Sequence, residues 1–419
     1  MRLSMVAWLM VVAVGGVGCM TPPVVRHNTT TFTRKTYTKE ECLQGVQACT
    51  AKDKTKDKVL WQYRASSEAM RLGEYALAKQ LLDDALLGVG GIMSKVKGAE
   101  DSRGLFTDEA KKTFLGEPYE RVMAYYYRGI LYWMDGEPDN ARACFLNAQF
   151  QDSDTFEKKY SGDYAILDYL DGLAMAKLGN DGSDAFKRAQ EHDTHKSLPD
   201  SLRTNANVLV FLEMGLGPYK YYTGEYKEQL RFASSSAKIY ETYSGDRLTY
   251  KSVRDPLQTE WMSARLMING QTNNIAPADD LHFQAVSRGG RVMDHVLANK
   301  AVFKKTTDTI GNTAILTGAA VGSMGAMSGS RDAGYAGLAI LAIGLIAKGI
   351  SAATTPTADI RCWDNLPQYL SLGLLQLPLG KHDATVEFID ANGTIIKTKT
   401  IAIQVADVKK ETVLFVSDR

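Results

Sequence analysis

The sequence lacks the short motifs that identify most enzymes, metal sites and nucleotide-binding loops. It contains no GxSxG, HExxH or CxxC motif and no GxxxxGK[ST] loop. Its net charge is only +1, with 23% charged residues and no basic stripe interleaved with aromatic residues. Nothing therefore attracts the chain electrostatically to nucleic acid or to an anionic surface. We expect no enzyme activity, no catalytic residue, no metal, no cofactor, no nucleic-acid partner and no small-molecule substrate.

The few side chains that could carry chemistry stand alone. His192 and His195 would share one face of a helix, but no third metal ligand lies nearby in the sequence, which favours a solvated loop. Residues 288–291, RGGR, favour a loop that leads into a helix over a phosphate cradle. Asp332 and Asp364 have no evident partner, so we expect solvated carboxylates at both positions.

Cysteine is scarce, with five residues in 419. Cys42 and Cys49 lie seven positions apart and form a possible disulfide in an oxidising compartment. In one continuous helix their rise of about 10.5 Å would prevent the bond. The disulfide therefore needs a turn, which Gly45 could supply, and both alternatives stay open. Cys144 and Cys362 are predicted to be small core residues.

The N-terminus predicts export. Arg2 is followed by an apolar run, Leu3 to Val14, that is too short for a comfortable membrane span. Residues 1–18 are similar to a bacterial lipoprotein signal peptide, which would leave Cys19 as the lipid-attachment residue, modified with fatty acids such as palmitate. Gly16 departs from that pattern, where a large aliphatic residue is usual, so an ordinary secretory signal is the alternative.

Residues 19–50 are predicted to form the lipid anchor and its tether, because the stretch that follows the cysteine is rich in Thr and Pro and lacks an apolar period. Met20, directly after the cysteine, favours sorting to the outer membrane over retention in the inner one. We expect the chain in the bacterial cell envelope, on the periplasmic face of the outer membrane.

Residues 51–200 are predicted to form tetratricopeptide-like helical repeats. Segments 56–86 and 118–150 carry small and apolar residues at the spacing of this 34-residue, two-helix unit. The repeat-packing residues are Ala69, Gly73, Ala78, Leu82, Ala85, Gly129, Tyr132, Gly136, Ala141, Phe145 and Ala148. Segment 164–192 matches less well and is read as a degenerate repeat. Two unrelated helical hairpins are the alternative.

Residues 309–353 form an apolar Gly/Ala-rich stretch that predicts a helical hairpin. Its glycines are Gly311, Gly318, Gly322, Gly325, Gly329, Gly334, Gly337 and Gly344. Glycine inside a helix costs about 0.5–1 kcal/mol relative to alanine, so this many of them need a packing reason. Three alternatives supply one: a hairpin covered by protein, a hairpin inserted in membrane, or a self-association surface.

The last part of the chain, residues 357–419, predicts a small β-sandwich or sheet. Apolar and polar residues alternate at period two, and Asn392-Gly393 is a strong hairpin signal. The expected strands are 369–377, 383–389, 394–404 and 411–417. Residues 201–308 show weaker patterns and are predicted to be an irregular, mostly helical continuation. The predicted fold class is therefore mainly α, with a helical hairpin and a C-terminal β module.

Four stretches taken together resemble a family of uncharacterised bacterial lipoproteins with a tetratricopeptide-like body. They are YERVMAYYYRGILYWMDGEPDNAR, NVLVFLEMGLGPYK, VMDHVLANKAVFKK and RCWDNLPQYLSLGLLQLPLGKH. Members of that family are often encoded beside curli-secretion-type pore lipoproteins. The resemblance therefore implies a role in envelope assembly or export, with such a lipoprotein as a candidate partner, and it implies no active site.

Two functions follow as expectations. The first is a lipid-anchored periplasmic scaffold that binds a protein partner in the concave face of its helical array. The second is a structural component of an envelope secretion or assembly complex, in which the Gly/Ala hairpin inserts into the membrane or oligomerises.

Overall fold

A computed structural model describes most of the chain. The described residues are 27–28, 36–51, 55–96, 113–152, 162–193, 196–223, 229–233, 237–244, 247–254, 262–286, 312–313, 315 and 358–419. Residues 1–18, Cys19 and the hairpin glycines from Gly311 to Gly344 lie outside them, as do His195, residues 288–291 and Asp332. Within the described ranges, no helix has the length and apolarity that crossing a membrane requires.

The described chain is a mixed α and β structure, so the prediction of a mainly α fold is wrong. The helices are α1 (Lys39–Ala51), α2 (Lys58–Arg71), α3 (Tyr75–Val96), α4 (Pro118–Met134), α5 (Pro138–Asp152), α6 (Ala165–Lys177), α7 (Ser183–His192) and α8 (Leu281–Val286). The strands are β1 (His27–Asn28), β2 (Val208–Met214), β3 (Tyr219–Thr223), β4 (Gln229–Ala233), β5 (Ala237–Ser244), β6 (Arg247–Arg254), β7 (Met262–Ile268), β8 (Gln271–Ile275), β9 (Asp279–Asp280), β10 (Tyr369–Leu375), β11 (Gly380–Asp390), β12 (Ile395–Val405) and β13 (Thr412–Ser417).

Helices α2 to α7 form three antiparallel pairs that turn in the same way. Gly73, Gly136 and Gly179 follow the first helix of each pair and have φ values of 73°, 78° and 78°. This left-handed conformation strains a side chain but not glycine. In each turn the amide after the glycine donates to the carbonyl five residues earlier, as Glu74 donates to Ala69 at 2.8 Å. The glycine spacing therefore encodes one repeated helix ending.

Two four-stranded sheets lie beside the helices. The central sheet has the order β13-β2-β10-β9, and β13 pairs with β2 in parallel. The outer sheet has the order β12-β11-β7-β8. Strands β3 and β4 form a separate pair, and β1 joins β5 and β6.

Strand β2 explains the layering, because all seven of its residues are buried. Leu209 and Phe211 belong to the apolar core that the helices form. Val208 and Val210 belong to a second core, which lies between the central and outer sheets. Burying each such side chain contributes about 1.5–3 kcal/mol. The molecule therefore has three layers: helices, central sheet and outer sheet.

The sheets correct two further predictions. Residues 201–308, predicted to be mostly helical, contain strands β2 to β9 and only the six-residue helix α8 among their described positions. The four C-terminal strands lie where the alternating pattern places them, but they do not form a separate module. Strand β10 pairs with β2 and β9, and β11 pairs with β7. The C-terminal strands are thus interleaved with strands from residues 201–280.

Candidate functional site

The predicted repeat-packing residues lie at the contacts within the first two helix pairs. Seven of them are fully buried: Ala69, Ala78, Leu82, Ala85, Ala141, Phe145 and Ala148. Tyr132 is half-buried, while Gly73 and Gly136 form the turns. A Cβ on Gly129 would lie 2.5 Å from the Phe145 ring, so α4 and α5 approach closely only because residue 129 has no side chain.

The inner face of the helix pairs is not an open groove. Tyr126 of α4 meets Phe211 of β2 edge to face at 6.1 Å, and Tyr127 meets Phe415 of β13 at 5.8 Å. The central sheet therefore fills the concave face that the sequence indicated as a partner site.

A stretch of the chain without helix or strand, Arg361–Asn365, lies on α2 and α4; we call it the docked segment. Its Trp363 is fully buried and stacks on Tyr63 at 4.4 Å. The Trp363 indole N–H donates to Ser67 Oγ at 2.7 Å, and its backbone N–H donates to Glu120 at 2.5 Å. One face of the Trp363 ring and both of its N–H donors are thus bound by the helices.

The residues around Trp363 are held by charge and amide groups. Arg64 binds Asp364 with two hydrogen bonds, at 2.7 and 3.0 Å, and donates to the Cys362 carbonyl at 3.1 Å. Asn365 donates to the Arg64 carbonyl at 3.0 Å and to Glu68 at 2.9 Å. The prediction that Asp364 is a solvated carboxylate is wrong, because it forms a two-point ion pair with Arg64.

A buried ion pair continues this contact to the central sheet. Arg71 Nε donates to Glu213 at 2.5 Å, and the Tyr127 hydroxyl donates to the same carboxylate at 2.6 Å. The two charged side chains are only 3% and 2% exposed. Burial lowers the pKa of Arg71, but the charges of Glu213, Tyr127 and Glu68 together outweigh burial and raise that pKa overall. Burial, followed by the charge of Glu213, holds the Tyr127 pKa well above its ordinary value.

The N-terminus of α4 carries a second buried charge group. Pro118 occupies the first turn, and Glu117 and Glu120 cap the helix reciprocally. Lys220 of β3 forms ion pairs with both, at 2.8 Å from Glu117 and 3.6 Å from Glu120. Burial raises the pKa of Glu120, and the charge of Lys220 opposes that rise. Lys220 also donates to the Arg361 carbonyl at 2.9 Å, so this group holds the docked segment too.

The third helix pair is attached by an acidic residue of the central sheet. Asp279 accepts hydrogen bonds from the Ala165 and Ile166 amides, at 3.1 and 2.9 Å, and so caps α6. Burial raises the pKa of Asp279 to about 7, although the hydrogen bonds from the two amides act to lower it. His192 is the last residue of α7, and its Nδ1 lies 3.1 Å from Asp168. His192 therefore joins two helices, and the prediction that it lies in a solvated loop is wrong.

The cysteines are core residues. Cys42 and Cys49 lie in the single helix α1 as free thiols, which excludes the disulfide that needed a turn between them. Cys144 and Cys362 are buried and free, which confirms their prediction. Burial raises the pKa of Cys42 to about 12 and those of Cys144 and Cys362 to about 11. Such thiols stay protonated and do not act as nucleophiles.

The described residues contain no cluster of three or more His, Cys, Asp or Glu side chains that could hold a metal ion. Their polar clusters bind other parts of the same chain. Sequence reasoning missed these clusters, and two signals could have found them: the single acidic residue of VLVFLEM and the tryptophan within RCWDN. The chain matches no protein-family model, no curated protein and no solved structure.

Proposed function

We propose that this chain is a lipid-anchored scaffold on the periplasmic face of the bacterial outer membrane, and that it binds a protein partner through its helix pairs. The observation that carries the proposal is the row of three helix pairs with one shared turn geometry, held on the central sheet by buried apolar and ionic contacts. Stacked helix pairs of this kind present one continuous surface to a partner.

The partner surface is the outer side of the helix pairs, because the inner side is filled. Two leucines carry large exposed apolar area there: Leu87 of α3 is 77% exposed and Leu146 of α5 is 40% exposed. Exposed polar residues lie next to them in the same helices: Asp83 and Asp84, which pair with Arg128 and Lys58, come one turn before Leu87, and Asn147 follows Leu146. Apolar residues within a polar surround are typical of the residues that anchor protein interfaces.

The test is site-specific crosslinking in cells. A photoreactive amino acid replaces Leu87 or Leu146, and the matched control carries it at Thr272, an exposed position of β8 in the outer sheet. We expect discrete adducts to one envelope protein from the two helical positions and none from Thr272. Equal labelling at all three positions, or no adduct at either leucine, would refute the helical surface.

The anchor is tested separately. Mass spectrometry of the mature N-terminus should find an acylated Cys19, and Cys19→Ser should release the chain from membranes. An unmodified Met1 on a cytosolic protein would refute the localisation.

A second candidate function is a structural component of an envelope secretion or assembly complex. It is favoured by the position of the docked segment, which follows the apolar stretch 309–353 closely in the sequence and is fixed by buried contacts. Insertion of the hairpin would thus be coupled to a rigid attachment point. A Cys19→Ser chain that resists a carbonate wash of membranes supports this candidate, whereas its complete extraction contradicts it.

A further inference from the structure

Strand β12 is a long edge strand whose side away from β11 pairs with no other described strand, although Thr412 Oγ1 donates to the Gln404 carbonyl near its end at 3.4 Å. It spans eleven residues, Ile395–Val405, and pairs only with β11 among the described strands. The pairing of β11 with β12 shifts register between Phe388 and Ile389, so Ile396 forms a bulge without a partner residue. Lys397–Val405 pair regularly with β11. Such an edge presents a row of backbone donors and acceptors that fits another extended strand.

The side chains of β12 differ between its two faces. Thr398, Thr400, Ala402 and Gln404 are exposed on the outer face of the sheet. On the opposite face, Ile403 and Val405 are buried in the core between the sheets, and Ile401 packs against that core. The outer face is therefore uncharged along the regular strand, which suits close approach of a second strand.

We propose that two copies of the chain associate through antiparallel pairing of their β12 strands, centred on Ile401. This register pairs all nine regular residues. The opposed pairs are Lys397 with Val405, Thr398 with Gln404, Lys399 with Ile403, Thr400 with Ala402, and Ile401 with itself.

Charge selects this register. Lysines occupy two positions of the regular strand, Lys397 and Lys399, and like charges directly opposite each other destabilise a pair of strands. A pairing centred on Lys399 places the Lys399 residues of the two copies directly opposite each other. A pairing centred on Thr400 places them diagonally next to each other, so both registers bring like charges together. Centring on Ile401 places an aliphatic residue opposite every lysine. Lys399 also donates to the Arg419 carbonyl of its own chain at 2.5 Å, which draws its amine away from the seam.

The second copy is the occupant that the strand favours, because in this register no like charges are opposed, Thr398 meets the polar Gln404 and Ile401 meets Ile401. The pairing would join two four-stranded outer sheets into one eight-stranded sheet with the outer faces on the same side. It goes beyond the proposed function, since it involves neither the helix pairs nor the anchor.

The experiment uses the full chain in detergent and measures its mass by light scattering over a wide concentration range. Two double variants, Thr400→Lys/Ala402→Lys and Thr400→Glu/Ala402→Glu, place like charges opposite each other. In the proposed register residue 400 of each copy faces residue 402 of the other, so each dimer would contain two such pairs. Both positions are exposed, so the fold should tolerate the charges. We expect the wild type to dimerise, each double variant to associate about tenfold more weakly or worse, and a mixture of the two to regain dimers.

Two controls keep the test specific. Thr272→Lys charges the opposite edge of the same outer sheet and should leave dimerisation unchanged. Thr400→Lys/Ala402→Glu places opposite charges together in the proposed register and should also dimerise. A monomeric wild type, double variants that dimerise normally, or a mixture that stays monomeric would each overturn the proposal.

Discussion

The close contact between Gly129 and Phe145 predicts an alanine substitution that destabilises a helix. Alanine is normally better than glycine inside a helix by about 0.5–1 kcal/mol. At residue 129, however, the new Cβ would lie 2.5 Å from one Phe145 ring carbon and 3.0 Å from two others. Forcing a side chain into a packed core costs about 1–3 kcal/mol. The packing cost less the gain in helix propensity is a net loss, so we expect Gly129→Ala to lower the free energy of unfolding by up to about 2.5 kcal/mol.

Urea denaturation followed by circular dichroism measures this change. The matched control is Gly90→Ala in α3, where a Cβ would meet nothing within 4 Å, so a gain of about 0.5–1 kcal/mol is expected. Phe145→Leu makes room for the methyl group and should restore part of the stability lost in Gly129→Ala. A Gly129→Ala protein as stable as the Gly90→Ala protein would refute the close helix contact.

Three other predictions concern buried polar groups. Arg71→Met alone should lower the free energy of unfolding by about 3–5 kcal/mol, because it leaves Glu213 buried and unpaired. The double variant Arg71→Met/Glu213→Leu should lower it clearly less. Equal losses for the two variants in urea denaturation would contradict the buried pair. Burial raises the pKa of Asp279 from 3.8 to about 7, so its contribution to stability is fully present below pH 3.8 and is lost as the pH rises towards 7. In Asp279→Asn, stability should fall less over this pH range. A variant with the same dependence of stability on pH as the wild type would contradict the raised pKa. Cys42 and Cys49 should remain free after mild oxidation and react with a thiol reagent only in denaturant. A disulfide between them, detected by mass spectrometry, would contradict a continuous α1.

Local packing made the helix pairs predictable. Gly73 and Gly136 mark helix ends that need a positive φ, and Gly129 and Phe145 must fit together within one hairpin. All of these contacts join residues close in sequence, so the spacing of small and large side chains records them. The same holds for the β11–β12 hairpin, whose turn contains Gly393 with a φ of 78°.

Long-range contacts made the fold class and the polar clusters unpredictable. Strand β2 is buried on both faces, so VLVFLEM reads as a continuous apolar run without the alternation that identifies a strand. Its partners β10 and β13 follow more than 150 residues later. The ion pair of Arg64 with Asp364 spans 300 positions. No local pattern records which distant residue will meet such a side chain.

The central claim is that the chain's own sheet and docked segment fill the inner face of the helix pairs. Amide hydrogen exchange of the native protein tests it most directly. We predict that the amides of Trp363 and of β2 exchange only through global unfolding, as slowly as those in the middle of α4. Fast exchange at Trp363 and β2 while α4 stays protected would show an open inner face and contradict the account.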